Sequence, residues 1–217
     1  MHSRYIKLRR PAVLSVIDDG GPFVPTGRDV LNAVDRRWEQ LARENAAYFD
    51  GRVYHVLGVH RNGHGGATVH VMECAYRFHA VQRNGFDAGA RILGTKAITT
   101  DGEGNVLMGR RASNVAWYPD MWEFAPGGVV DFGAQPAEVI IKELAEETGL
   151  TAAREPIPLA ILFDDVAATW EMIYQIKAAP GKLIARPEYT EIAWFDRVQL
   201  PEPLSPIAAT MATRVLQ

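Results

Sequence analysis

Apolar positions along this chain fall into short runs separated by turn residues, with a few stretches that repeat at helical spacing. Ile92 to Thr99, the turn Asp101-Gly102-Glu103-Gly104-Asn105 and Val106 to Gly109 predict strand, turn and strand. Leu159 to Val166 and Thr169 to Lys177 predict an antiparallel pair, and Ile192 to Phe195 predicts a last strand. Pro201 and Pro203 then break the chain before a closing helix over Pro206 to Val215. Nearer the amino terminus, Pro11 to Ile17 predicts a strand that ends at Asp18-Asp19-Gly20-Gly21-Pro22. Thr26, with Asp29 three residues on, predicts a helix start, and Val30, Leu31, Val34, Trp38, Leu41 and Ala42 supply its buried stripe. After Asn45 and Asp50-Gly51, Val53 to His60 and Thr68 to Phe78 predict a hairpin through Asn62-Gly63-His64-Gly65-Gly66.

The turn-rich pair Arg83-Asn84-Gly85 and Asp87-Ala88-Gly89 suggests two parts: an α+β region over residues 1–88 and a second unit over 89–217. Within the second, Gly127 to Leu150 (GGVVDFGAQPAEVIIKELAEETGL) is the stretch that carries chemistry. Pro136 suits a first helical turn and Gly149 a left-handed stop. At about 100° per residue, Glu143, Glu146 and Glu147 share one face while Ala137, Ile141, Leu144 and Thr148 share the other. Three carboxylates at that spacing repel one another, so keeping them ionised together invites a hard divalent cation, Mg²⁺ or Mn²⁺.

The stretch resembles the Nudix box, with Gly128, Glu143, Leu144, Glu146, Glu147, Gly149 and Leu150 at the expected positions and Gly127 as the second of a doubled glycine. Two positions depart from the box: Ala134 stands where a glutamate is expected and Lys142 where an arginine is expected. Lysine keeps the charge but loses the planar fork that grips a carboxylate twice. Glu138, one turn before Lys142, is the candidate substitute partner, so Lys142 and Glu138 are the expected helix-orienting pair. The resemblance covers about residues 90 to 200. It implies an α/β/α sandwich with a mixed sheet and metal-dependent hydrolysis of a nucleoside diphosphate linked to another group. By the same resemblance Glu146, Glu147, Glu143 and the Gly127 carbonyl are candidate metal ligands. Glu143 is also the candidate general base.

Three further residues are expected near the substrate by resemblance, Arg110 and Arg111 for phosphate and Glu191, with Glu188 beside it as an alternative carboxylate, while Trp122 is a candidate for stacking from its place in an aromatic loop. Trp117 and Tyr118 offer further rings, and Glu123 lies close enough to the box to join an acidic site. A diffuse likeness of Trp38 to Val56 to the leading segment of UDP-sugar-cleaving Nudix hydrolases favours nucleoside diphosphate sugars, with ADP-ribose next. The two departures motivate an alternative, a non-catalytic nucleotide-binding or sensor module. An isomerase is the third reading, but no cysteine near the site region supports it.

Composition narrows these readings. The 217 residues carry a formal charge of −3 and no basic block, which argues against nucleic acid as the main partner and leaves a small-molecule nucleotide. Cys74 is the only cysteine, so no intrachain disulfide is possible and a reducing cytoplasm is the expected setting. The apolar run Ala12 to Ile17 is too short for a membrane span or secretory signal. His55, His60, His64 and His70 gather around the hairpin, but their spacing matches no compact ligand pattern and they read as strand-face histidines. A homodimer is the candidate assembly, as Nudix proteins are often dimers.

Overall fold

The computed structural model describes residues 5–46 and 48–216. Eleven strands and four helices follow in chain order: β1 Tyr5–Lys7, β2 Val13–Val16, α1 Arg28–Glu44, β3 Arg52–Arg61, β4 Ala67–Ala75, α2 Arg77–Ala80, β5 Ile92–Thr100, β6 Val106–Arg111, β7 Trp122–Phe124, β8 Gly127–Val129, α3 Pro136–Thr148, β9 Ile157–Asp164, β10 Thr169–Lys177, β11 Tyr189–Phe195 and α4 Pro206–Arg214.

One open mixed sheet runs β1-β9-β10-β5-β3-β4-β2, with β6, β7, β8 and β11 attached off that path. β5 is its hub, parallel to β10 along its length and antiparallel to β8 beside the start of α3. Strand alternation sorts the core into two faces. Leu93 and Ala97 of β5, with Met172, Tyr174 and Ile176 of β10, pack under Ile140 and Leu144 of α3. Ile98 and Ile173, of opposite parity, pack with Ile207, Ala208 and Met211 of α4. A helix on each face of a mixed sheet is the α/β/α sandwich expected. α1 closes a third cluster around Val34, Val53, Phe78 and Ile92, with Trp38 as packing.

The sheet crosses residue 88 through the pair His55↔Ile92, and Tyr54, Val56 and Val69 share the first core with Leu93. β10 keeps the predicted bounds and α4 comes within a residue of them. Four expectations are corrected. The strand from Thr68 ends at Ala75, and Phe78 sits in α2, where its ring is buried. Thr26 is not the cap of α1; Gly27 takes that position with φ 97 and no side-chain bond, a backbone state that threonine avoids. In α3 it is Ile140 that is buried, while Ile141 is half-buried. Glu147 joins that buried row, so the acidic and apolar faces overlap rather than oppose. β1, β7 and β8 were not anticipated, being three residues each.

Candidate active site

Pro136 in the first turn and Gly149 at φ 73 after the last hold α3 to its predicted length. β8 delivers Gly127 and Gly128 beneath it, through pairing with Lys96 and Thr95 of β5. A Cβ on Gly128 would lie 2.7 Å from the Glu143 carboxylate, so only glycine lets that side chain rest against the strand. Glu147, 5% exposed, accepts hydrogen bonds from the Tyr189 hydroxyl at 2.9 Å and the Gly127 N–H at 3.4 Å.

Burial and the Glu146 charge push the Glu143 carboxyl up to about 7. Glu147 rises well above the usual carboxylate range through burial, then through the charge and hydrogen bond of Glu188, while the Tyr189 bond opposes the rise. Beside these acids lies a buried ion network. Lys96 donates to Glu123 at 3.1 Å, and Arg111 stands 3.8 Å from Glu123 and 3.1 Å from Glu188. Burial opposes the Lys96 charge, but Glu123 and Glu171 outweigh it and the ammonium stays above its usual range.

Glu143, Glu147 and this network open on one cavity of about 510 Å³. Gly127, Gly128, Glu143, Glu147 and Glu188 line one part of it, with Lys96, Arg111 and Glu123 alongside and Gly94, Asp164, Thr169 and Glu171 also present. Asn45, Tyr48, Tyr76 and His79 reach the same cavity from the amino-terminal half, next to Trp117. The His79 ring lies 6.0 Å from those of both Tyr76 and Trp117.

Other anticipated residues fall elsewhere. Arg110 and Arg111 alternate across β6, so Arg111 faces the cavity while Arg110 is exposed and donates to the Asp120 carbonyl. Glu191 is exposed opposite Arg110, and its neighbour Glu188 takes the place at the cavity. Trp122 is 6% exposed and packs edge-on to Phe195 in the second core, so its ring fills space instead of stacking on a ligand. Lys142 pairs with Glu146 at 3.4 Å, one turn after it, and not with Glu138. That pair is exposed, and Glu146 lies off the cavity lining. Ala134 packs half-buried against the first core. Lys96, Glu171, Thr169, Tyr48, Tyr76 and His79 had no local signature, because each enters from a segment far from the box in sequence. Of the hairpin histidines, His55 stacks on Phe23 at 4.0 Å and accepts from the Arg91 N–H. Cys74 is buried, its thiol pushed up to about 12 by burial.

The donor chemistry suits a hard divalent cation. Glu143, Glu147 and Glu188 present oxygens to one space, and burial and mutual repulsion resist ionisation of the first two, a cost that a cation there relieves. Among the described residues no group of three His, Cys, Asp or Glu side chains is arranged to hold a metal ion. Nor is any described helix long and apolar enough to cross a membrane.

An acidic helix over a mixed sheet, its carboxylates meeting buried cations in one polar cavity, defines an α/β protein with a site for a small polar ligand. Within that class the chain belongs to the NUDIX domain family, whose model matches residues 90–215. Members of this family generally use divalent metal ions and act on small-molecule nucleotides. An uncharacterized Nudix hydrolase of Streptomyces coelicolor is 30% identical over 114 residues, covering 50% of this chain and 61% of that one. An m7GpppN-mRNA hydrolase of Xenopus laevis is 37% identical over 70 residues, covering 32% of this chain and 22% of that one. The chain thus spans about three fifths of the first relative and about a fifth of the second. A crystal structure from Deinococcus radiodurans shares the fold, with a TM-score of 0.52 and 19% identity over 62% of this chain and 90% of that one.

Proposed function

We propose that this chain hydrolyses the diphosphate linkage of a nucleoside diphosphate derivative with Mg²⁺ or Mn²⁺, a nucleoside diphosphate sugar first and ADP-ribose next. The observation that carries this reading is the meeting of Glu143, Glu147 and Glu188 with Lys96 and Arg111 in one cavity. Glu147, Glu143, Glu146 and the Gly127 carbonyl are the proposed metal donors, with Glu188 added. When bound, the cation neutralises diphosphate charge and polarises the bond to be broken.

Arg111 and Lys96 hold phosphate oxygens from the opposite side. Glu143, resting over Gly128, takes the proton of the attacking water. Tyr189 is a positioning residue, fixing the Glu147 carboxylate through its hydroxyl. Tyr48, Tyr76 and Trp117 offer ring faces to the base. On this reading residues 89–217 are the hydrolytic unit and residues 1–88 complete its binding cavity.

The Lys142–Glu146 pair favours a second reading. If lysine holds Glu146 outward, the fold binds nucleotide without turning it over. A panel of UDP-glucose, ADP-ribose, NADH, dinucleoside polyphosphates and nucleoside triphosphates, each with Mg²⁺ or Mn²⁺ and scored by product, separates the two. The first reading expects a nucleoside monophosphate from a sugar-bearing diphosphate. Nucleotide binding without turnover across the panel supports the second.

A further inference from the structure

Glu171 of β10 lies in the cavity and has no part in the hydrolytic chemistry proposed above. It is 6% exposed, and its two oxygens are unequal. One accepts the Thr169 hydroxyl at 2.7 Å; the other is buried without a hydrogen-bond partner. The carboxylate rests on Gly94, where a Cβ would lie 2.5 Å from the unpartnered oxygen. Any side chain at 94 would therefore displace it. An unpaired buried acceptor is costly, and the missing partner is a hydrogen-bond donor.

The surroundings narrow what that donor is. Lys96 gives one of its three donors to Glu123 at 3.1 Å and none to this oxygen, and Asp164 is engaged by the Tyr118 hydroxyl at 2.5 Å and by the Val166 and Ala167 N–H groups. The Lys96 charge already acts on Glu171, opposed by the smaller effects of Asp164 and Glu123. A neutral hydroxyl supplies the donor without adding charge. A cavity of about 510 Å³ holds more than a diphosphate, leaving room for a ligand that carries such hydroxyls.

We infer that Glu171, steadied by Thr169 and seated on Gly94, forms a hydroxyl-receiving subsite that takes the sugar of the substrate and sets preference for a sugar-bearing diphosphate over the bare nucleotide. This rests on the cavity being the nucleotide site. Titration calorimetry with Mg²⁺ tests it, using methylene-bridged, non-hydrolysable UDP-glucose and ADP-ribose against methylene-bridged UDP and ADP. At pH 8, above the value of about 7 to which burial pushes the Glu171 carboxyl, the wild-type chain binds at least one sugar-bearing analogue about tenfold tighter than its parent, as expected for one hydrogen bond to a charged acceptor. Glu171→Met, similar in length but without an acceptor, brings that ratio to within about twofold. Deoxy-sugar forms of the preferred analogue test the same bond on the unmutated chain, and one of them loses the advantage. Equal affinity of parent and sugar-bearing analogues in the wild type overturns the inference, as does an undiminished ratio in Glu171→Met. Turnover with no such advantage leaves the hydrolase reading standing and removes this one; the advantage without turnover does the reverse.

Discussion

Replacing Glu171 with glutamine should change how folding stability depends on pH. Burial pushes this carboxyl up to about 7 against an ordinary 4.5, and the Lys96 charge and the Thr169 hydroxyl offset only part of the rise. Between those values the folded chain keeps a proton that the unfolded chain releases. Stability from this group is therefore fully present below about 4.5 and is lost as pH rises through about 7. The gap corresponds to about 3 kcal/mol, an order-of-magnitude figure for a group this deeply buried. Glutamine has the same shape and no proton to lose. Urea unfolding at pH 5 and pH 8 measures the effect, and taking the difference between variant and wild type cancels the other titrating groups. The wild type should lose about 3 kcal/mol more than Glu171→Gln over that interval. An identical loss in both, or a larger one in the variant, would refute the reasoning about Glu171.

Other residues give separate tests. Arg111→Ala leaves Glu123, 2% exposed, with one fewer cation and should lower kcat/KM by about tenfold to a hundredfold, while Arg110→Ala should change it by less than about twofold; equal effects would mean the wrong arginine faces the site. Gly128→Ala sets a methyl 2.7 Å from the Glu143 carboxylate, which must move. Steady-state kinetics should show kcat falling by about a hundredfold or somewhat less, and thermal melting should show little change. Lys142→Met breaks an exposed pair whose contribution to stability is under about 1 kcal/mol, so the melting point should barely shift. If lysine restrains Glu146, metal affinity measured by calorimetry should rise.

The box helix was readable because its signals are local: a proline and a glycine mark its ends, and three glutamates stand at the spacing of one helical face. The strand pair β9–β10 was readable for the same reason, as largely apolar runs between turns. What escaped depends on which way a side chain points. Arg110 and Arg111 differ only in parity on β6, and sequence alone does not say which parity faces the helix. Trp122 belongs to a three-residue strand whose partners lie elsewhere in the chain, so its burial had no local sign. Lys96 and Glu171 interrupt apolar strands as isolated polar residues, and their meaning appears only when the register of β5 and β10 brings them together. Gly127 and Gly128 carried no strand signal, yet they form a strand where close approach of Lys96 and Glu143 requires the missing Cβ. The partner of Lys142 was misjudged because both neighbours at i±4 are glutamates, and helical spacing does not choose between them.

Glu147, held by Tyr189 at the cavity, is the residue on which the proposed metal-dependent cleavage of a sugar-bearing nucleoside diphosphate depends most. Its most direct test compares wild type and Glu147→Gln with UDP-glucose and ADP-ribose over a Mg²⁺ titration, with products resolved by phosphorus NMR and folding checked by circular dichroism. The account predicts Mg²⁺-dependent release of a nucleoside monophosphate and a sugar phosphate by the wild type, reduced at least about a hundredfold in a folded Glu147→Gln. Cleavage at an undiminished rate by that variant, or none by a wild type that binds both nucleotides, would contradict it.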